Sequence, residues 1–422
     1  MSSLPISPSK TEPTTAGAYF VSNYPPYAYW GSEHVADALA ALERPPAAGT
    51  PLGLYFHIPF CRKRCHFCYF KVYTDRNASE VQDYLDAAVQ ELRMYAGKPF
   101  IGGRKPAFLY FGGGTPSVLS TRQLGGLVRE MQQLLPWDEA EEVAFECEPG
   151  TLTEEKMRIV RDLGMTRLSL GVENFNEEIL RINGRAHGAK DIDRAYSYAR
   201  SIGFPQINID LIAGMMGETE ENWQDCIRRT IELAPDSVTI YQIRIPYNTT
   251  IFKEMKSRGE QVAPVADWPQ KRAWVDSAFR QLERAGYLIS SAYTAVGDVA
   301  KTKVLYREML WRGADLLGFG VASFSHIGGT HFQNEHDLGP YLARVRKGEL
   351  PIYRALTPNA DERMIREFIL QLKLGRVETE YFRNKFSVDP SERFQGTLRK
   401  MESDGYLELK PGAVELKREG LL

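Results

Sequence analysis

Six short β-rich runs, each followed by a helix-like stretch, set the main limit on what this chain can fold into. The runs are GLYFHI (53–58), AFLYF (107–111), EVAFEC (142–147), RLSLGV (167–172), INIDLI (207–212) and SVTIYQI (237–243). Between the first two, Val81, Leu85, Ala88 and Leu92 recur at helical spacing over 79–95, with Ser79 as the expected cap. Thr151 and Glu154 have capping-box spacing ahead of another helix, and 219–233 and 266–284 also read as helices. Strand–helix alternation at this spacing predicts right-handed βαβ units and a parallel sheet. Six units predict an α/β fold of the partial (β/α)6, TIM-like barrel type, with the C-terminal strand ends as its working face.

The flanks read differently. A length of 422 residues exceeds one ordinary domain, so a barrel over 50–300 leaves room for an N-terminal segment, 1–49, and a C-terminal domain, 301–422. Residues 1–17 are Ser, Pro and Thr with little apolar content, and are expected to be disordered. The run AYFVSNYPPYAYW (18–30) holds Tyr19, Phe20, Tyr24, Tyr27, Tyr29 and Trp30, too many rings for a solvated tail. It is expected to dock as a packing arm, a lid over the substrate being the lesser option. A helix and a Pro-rich linker are expected over 31–49. Near the other end, 361–373, 379–386 and 391–404 suggest three helices, followed by YLEL and AVELK around a Pro-Gly turn, an α+β pattern resembling a winged-helix module. Residues 361–422 hold 12 basic and 12 acidic side chains, so a structural or substrate-shaping role is expected there rather than DNA binding. The net charge of −2 supplies no case for nucleic acid or an anionic membrane. With no apolar run of about 18 residues and no basic-then-apolar leader, a cytoplasmic monomer without a membrane span is expected.

Five cysteines is a small, odd number for this length, which argues against a disulfide scaffold. Three of them, Cys61, Cys65 and Cys68, fall within eight residues directly after the first strand. Three thiolates with His57 or His66 could hold a structural zinc. Three thiolates without a fourth ligand could hold a [4Fe-4S] cluster with one iron open. Arg62, Lys63 and Arg64 would favour ionised thiols under either reading. Cys147 and Cys226 lie far away and are expected to be buried apolar residues. Gly112, Gly113 and Gly114 end the second strand without side chains, where backbone N–H groups can approach a ligand; Thr115 adds a hydroxyl and Pro116 sets the exit. Later strands end in Glu146, Glu173, Asp210 and the pair Tyr241–Gln242. Polar groups at four successive strand ends predict a pocket.

The run YFHIPFCRKRCHFC (55–68), the GGGTP at 112–116, RLSLGVENF (167–175), NGRAH (183–187) and NIDLIAG (208–214) together resemble the radical S-adenosylmethionine superfamily. Within it they are similar to the branch of oxygen-independent coproporphyrinogen dehydrogenases and heme chaperones, over about residues 50–350. The resemblance implies a [4Fe-4S] cluster on Cys61, Cys65 and Cys68, its open iron chelated by the amino and carboxylate groups of S-adenosylmethionine. It implies reductive cleavage of that sulfonium to a 5′-deoxyadenosyl radical, fed by a flavodoxin or ferredoxin. Tyr55, Gly113 and Glu146 would contact the cluster-bound S-adenosylmethionine. Gly114, Thr115, Glu173, Arg185 and Asp210 would line a second S-adenosylmethionine site, with Gln242 at the sixth strand end and Phe324 as an apolar contact. A core-packing role for Phe324 is as well founded.

Three departures bear on the branch. Phe70 stands where the dehydrogenases carry a further cysteine, and Glu173 where they carry glutamine. Tyr306-Arg-Glu-Met-Leu-Trp311 precedes Gly318-Phe-Gly320 where heme chaperones carry HNxxYW, so only the tryptophan is kept. His326 and His331 follow, and read as hydrogen-bonded structural residues rather than heme ligands. The resulting expectation is a third group, which spends two S-adenosylmethionine molecules to methylate or cyclopropanate an sp² carbon of a small-molecule substrate. Porphyrinogen oxidation and non-catalytic heme carriage are the alternatives.

Overall fold

The computed structural model describes residues 23–260 and 264–422. The expected disorder of 1–17, and Tyr19 and Phe20 of the aromatic arm, lie outside the described residues. All six expected strands are present: β1 (Leu52–Ile58), β2 (Pro106–Gly113), β3 (Glu142–Cys147), β4 (Arg167–Glu173), β5 (Gln206–Ala213) and β6 (Ser237–Gln242). They pair in parallel and in chain order. Nearly every residue of β1 and β3 is buried, as in a parallel sheet covered on both faces.

The sheet continues at both edges. β7 (Leu288–Ile289) and β8 (Thr294–Val296) add antiparallel beyond β6. On the other side β9 (Asp315–Phe319) pairs in parallel with β1, and β10 (Phe324–Ile327), β11 (Thr330–Asn334) and β12 (Ile352–Leu356) follow antiparallel. The result is one twelve-stranded sheet with β12 and β7 at its two edges, a partial barrel. Residues 315–356 therefore extend the barrel sheet past residue 300. A second sheet, of β13 (Arg376–Glu378), β15 (Ala413–Leu416) and β14 (Leu407–Lys410) in that order, packs with helices Ala360–Gln371, Thr379–Phe386 and Gln395–Ser403 around Met364, Phe368, Phe382, Leu398 and Val414. β13 has no sequence forecast, and the helix expected over 391–404 is broken at Phe394 into two.

Two caps differ from expectation. Asn77, not Ser79, starts helix Ala78–Ala96: its side chain accepts from the N–H groups of Ser79 and Glu80, and Glu80 answers to the Asn77 N–H. Thr153 caps Glu154–Asp162, while the Thr151 hydroxyl is spent on the Glu148 carbonyl. Within 31–49 the α-helix is confined to Val35–Leu42.

The described part of the arm docks as expected. Gly31 bridges to Ala355 of β12, and Trp30 lies flat on His331 at 5.1 Å. Tyr27 packs on Phe324 at 4.8 Å, while its hydroxyl reaches the neighbourhood of Tyr69 and Tyr306.

Glu91, fully buried in helix Ala78–Ala96, ties that helix to the far side of the sheet. It accepts from Gly320 N at 2.8 Å, Asn334 Nδ2 at 2.6 Å and the Tyr341 hydroxyl at 2.6 Å. Burial outweighs these bonds and pushes its pKa up to about 7. The native state thus keeps a proton that the unfolded chain releases near the ordinary carboxylate value. Its stabilisation is full below that value and is lost as pH rises through about 7. Glu91→Gln is therefore expected to flatten the fall of melting temperature between pH 5 and pH 8 relative to the wild type, while lowering it at pH 5, where the amide nitrogen would face either Asn334 Nδ2 or the Gly320 N–H and Tyr341 hydroxyl. An unchanged slope would refute this account.

Candidate active site

β1 delivers the chain into the cysteine loop, and backbone bonds hold that loop. The Cys61 N–H donates to the Tyr73 carbonyl at 3.1 Å, His66 N–H to Asn183 at 3.0 Å, and Ile251 N–H to His66 at 3.2 Å. Arg62 reaches across to the Gly150 and Ala186 carbonyls, and Arg64 binds the Cys68 carbonyl at 3.1 Å and the Asn248 carbonyl at 3.2 Å. These cations chiefly brace the loop, which corrects the expectation that they keep thiolates ionised. Only Arg64 favours the Cys68 thiolate, and weakly. Burial, reinforced by the neighbouring sulfurs, pushes Cys61 up to about 12 and Cys68 up to about 11. The cation nearest a thiol is one from β4's far loop: Arg185 Nη1 lies 3.2 Å from Cys65 Sγ. Thr115 donates its hydroxyl to Cys61 Sγ at 3.3 Å.

The GGGTP turn works differently from the sequence reading. Its N–H groups are already engaged: Gly113 with Glu146 Oε2 at 3.1 Å, Gly114 with the Ile58 carbonyl at 2.7 Å, Thr115 with the Phe60 carbonyl at 2.8 Å. What the glycines supply is room. A Cβ on Gly113, whose φ is +111°, would meet the His57 ring at 2.7 Å, and one on Gly114 would lie 3.0 Å from Cys61 Sγ. The turn packs directly against the cysteine loop because it carries no side chains there.

The strand ends converge as expected. Glu146 accepts from the Tyr110 hydroxyl at 2.7 Å and feels the charges of Asp210 and Glu173. Glu173 sits in a register shift of β4 with φ at 64°, and pairs with Arg185 at 3.6 Å. Burial holds both glutamates up to about 7. Asp210 accepts from Ser169 Oγ at 2.7 Å and Asn208 Nδ2 at 3.0 Å, and burial raises its pKa too. Tyr55 bonds His57 Nδ1 at 3.0 Å and stacks near Tyr110. Gln242 is drawn aside: its Nε2 donates to the Leu422 carbonyl at 3.3 Å. Phe324 is engaged by Tyr27 and Trp30, in keeping with its packing reading.

The residues present suit an iron–sulfur centre better than a zinc ion. The three sulfurs sense one another's charge, yet among the described residues no group of three or more His, Cys, Asp or Glu is gathered as a single ion requires. Either proposed fourth ligand would have to use its Nε2, since His57 bonds Tyr55 and His66 the Ile182 carbonyl through Nδ1, and both rings are packed against glycines, His57 under Gly113 and His66 under Gly184. One buried polar atom beside the triad, Arg185 Nε, has no protein partner, as expected of a group awaiting a polar ligand.

Sequence reasoning overlooked Tyr110 and Tyr306. Their rings meet at 4.5 Å inside the barrel, with Tyr55 6.4 Å from Tyr306. Tyr306 belongs to the segment singled out as a departure from the heme-chaperone pattern, and that departure was the available signal. His326 and His331 are a buried pair joined Nδ1 to Nδ1 at 3.0 Å, and burial keeps both neutral, as their structural reading expects. Cys147 and Cys226 are buried in the core. Among the described residues no helix is long and apolar enough to cross a membrane.

Comparison with known proteins agrees with this geometry. Residues 55–230 match the radical SAM superfamily model and residues 359–422 the HemN C-terminal domain. An oxygen-independent coproporphyrinogen III oxidase of Salmonella typhimurium is 30% identical over 407 residues, covering 93% of this chain and 87% of the relative. The heme chaperone HemW of Bacillus subtilis is 29% identical, over 87% of this chain and 96% of its own length. The structure of the Escherichia coli coproporphyrinogen III oxidase HemN, described as a radical SAM enzyme, superposes with a TM-score of 0.82 at 27% identity, over 96% of this chain and 94% of that one. The family uses a [4Fe-4S] cluster and S-adenosylmethionine. Nothing in these comparisons supports C-methylation or cyclopropanation, the reading favoured on sequence. This chain belongs to the radical S-adenosylmethionine superfamily, in the branch of the oxygen-independent coproporphyrinogen III oxidases and HemW.

Proposed function

We propose that this protein is a radical S-adenosylmethionine oxidase acting on a carboxylate-bearing tetrapyrrole of the coproporphyrinogen class. The observation that carries the reading is the extent of the likeness: it spans barrel and C-terminal domain together, at full length in the HemN structure. Cys61, Cys65 and Cys68 would hold the cluster. When bound, the cluster and S-adenosylmethionine together supply one-electron cleavage of the sulfonium and a hydrogen-abstracting group. The chain's own work is positioning and exclusion of water. Glu146, fixed by Tyr110 and Gly113, and Tyr55 would contact the cofactor bound to the cluster. Arg185, between Cys65 and Glu173, offers its unpartnered Nε to a carboxylate. Asp210, with Gly114, Thr115 and Glu173, would line a second S-adenosylmethionine site. The packed rings of Tyr55, Tyr110 and Tyr306 would help exclude water from the reacting centre. A flavodoxin or ferredoxin is the fitting electron donor.

The test is an anaerobic assay of cluster-loaded protein with dithionite, S-adenosylmethionine and coproporphyrinogen III. The expected result is 5′-deoxyadenosine in step with loss of carboxyl groups as CO₂. Deoxyadenosine no higher than without substrate would overturn the reading.

A second reading, transfer of a one-carbon unit from a second S-adenosylmethionine to an sp² carbon, is favoured by one observation. Phe70 puts a half-exposed ring, tilted against Tyr69 at 4.5 Å, where the oxidases carry a thiol. Methyl-deuterated S-adenosylmethionine separates the two: deuterium appears in the product carbon skeleton only under the second.

A further inference from the structure

Two of the three loop sulfurs are already met by a donor. The Thr115 hydroxyl donates to Cys61 Sγ at 3.3 Å, and Arg185 Nη1 donates to Cys65 Sγ at 3.2 Å. Cys68 differs: its own thiol faces the Phe70 carbonyl at 4.0 Å, and among the described residues no hydrogen bond is donated to that sulfur.

The fold, rather than the sulfurs, holds both donors in place. The Thr115 N–H donates to the Phe60 carbonyl at 2.8 Å, next to Cys61. Arg185 stands in the turn after helix Glu177–Ile182, and that turn is bonded to the cysteine loop one residue from Cys65. The Asn183 carbonyl accepts from the His66 N–H at 3.0 Å, and the Ile182 carbonyl bonds His66 Nδ1 at 2.9 Å. The Arg185 N–H donates to the Leu180 carbonyl at 2.9 Å, and its Nη2 to the Gly171 carbonyl at 2.6 Å. A guanidinium is always charged, and this one, with its side chain only 10% exposed, carries that charge to a ligand sulfur. Two carboxylates bear on it. Glu173 Oε1 lies 3.6 Å from Nη1, whereas Glu148 is engaged by His187 Nδ1 at 2.9 Å and faces Arg62 at 3.8 Å.

We propose that Arg185 and Thr115, acting through the sulfurs of Cys65 and Cys61, and Glu173, acting against Arg185, set the reduction potential of the cluster. The proposal rests on the placing of the cluster on Cys61, Cys65 and Cys68 given above, and not on the identity of the substrate. Reduction brings one electron from the external carrier and adds one negative charge to the centre; no bond or proton changes hands at these three side chains. Hydrogen bonds to ligand sulfurs and a nearby positive charge favour the more negative state, and a nearby carboxylate disfavours it. Low exposure strengthens all three effects. Arg185 and Thr115 therefore raise the potential, and Glu173 holds part of that rise back.

The test is a redox titration of the anaerobically reconstituted full chain, followed by EPR, without S-adenosylmethionine. It is run at pH 8, above the value of about 7 to which burial holds Glu173. Arg185→Gln is expected to shift the reduction equilibrium about tenfold toward the oxidised state, a midpoint about 59 mV more negative. Thr115→Val is expected to shift it about threefold the same way, and Glu173→Gln about threefold the other way, each roughly 28 mV. Arg185→Lys, which keeps the charge without the fork, should fall between wild type and Arg185→Gln. The Fe–S(Cys) stretching bands in resonance Raman spectra should move up in Arg185→Gln and Thr115→Val as the sulfurs lose their donors, a change that a purely structural role would not make. Iron and sulfide content and melting temperature matching wild type show that a variant is folded and loaded. Unshifted midpoints in Arg185→Gln and Glu173→Gln overturn the proposal; if Arg185→Gln does not load, unshifted midpoints in Glu173→Gln and Thr115→Val do so instead. A wild type that binds no cluster would sink the cysteine assignment and the tuning together, whereas a loaded cluster with unshifted midpoints sinks the tuning alone.

Discussion

Alanine at Cys61, Cys65 and Cys68 together is expected to abolish iron–sulfur absorption and all reductive cleavage of S-adenosylmethionine, while leaving the melting temperature of the metal-free protein within a few degrees. The separation follows from how the loop is held. Its path depends on the backbone bonds from Cys61 to Tyr73 and from His66 to Asn183, and on Arg62 and Arg64 gripping carbonyls, none of which uses a thiol. The sulfurs contribute single contacts, Cys61 to Thr115, Cys65 to Arg185 and Cys68 to the Phe70 carbonyl at 4.0 Å. Removing them takes away the three thiolate donors of the loop, and the His57 and His66 rings are held through Nδ1 by Tyr55 and the Ile182 carbonyl. Cys226→Ala is the matched control, since its thiol is in the core and its loss should leave iron and sulfide content unchanged. Retention of stoichiometric iron and sulfide by the triple variant would remove the cysteine loop from the chemistry.

What the sequence conveyed about this site was its donors and their order along the chain; what it withheld was which contacts they make with one another. β3 is bounded as expected because EVAFEC is a continuous buried run between turns. β7, β8 and β13 are two or three residues long and leave no period to detect, and β9–β12 are fixed by pairing to β1 and to each other rather than by local pattern. The six parallel strands were therefore legible, and the extension of their sheet to residue 356 was not. Within the site, Glu146, Glu173 and Asp210 were readable because strand ends of a barrel face one way. The contacts that position them were not: Tyr110 was not named, and Arg185 was named for a second cofactor site rather than as the partner of Glu173 and Cys65. The choice of the neighbouring cations as guardians of the thiols held only for Arg64 at Cys68: adjacency in sequence put Arg62 and Arg64 on the loop, and their length carried the guanidinium groups to carbonyls.

Gly114→Ala is expected to cost about as much at the site as losing a ligand, although it adds one methyl group. The φ of Gly114 is not left-handed, so backbone conformation alone would admit alanine, and the outcome depends on space. A Cβ there would lie 2.7 Å from the Phe60 carbonyl oxygen and 2.9 Å from that of Ile58, as well as 3.0 Å from Cys61 Sγ. Two of the three obstacles are backbone, at the point where β1 turns into the cysteine loop. They also accept the Thr115 and Gly114 N–H bonds that clamp the turn to that loop. Neither can rotate away, so the turn and the loop must part, at about 1–3 kcal/mol, and Cys61 moves with them. The expected readout is a lower melting temperature together with cluster loading reduced to a small fraction of wild type under identical reconstitution. Gly126→Ala separates this from a general intolerance of added bulk. It lies in helix Thr121–Leu134 with nothing within 4 Å of the new Cβ, and should stabilise the protein by roughly 0.5–1 kcal/mol with full cluster loading. Normal loading in Gly114→Ala would mean that the close packing of the glycine turn on the cysteine loop is not what positions Cys61.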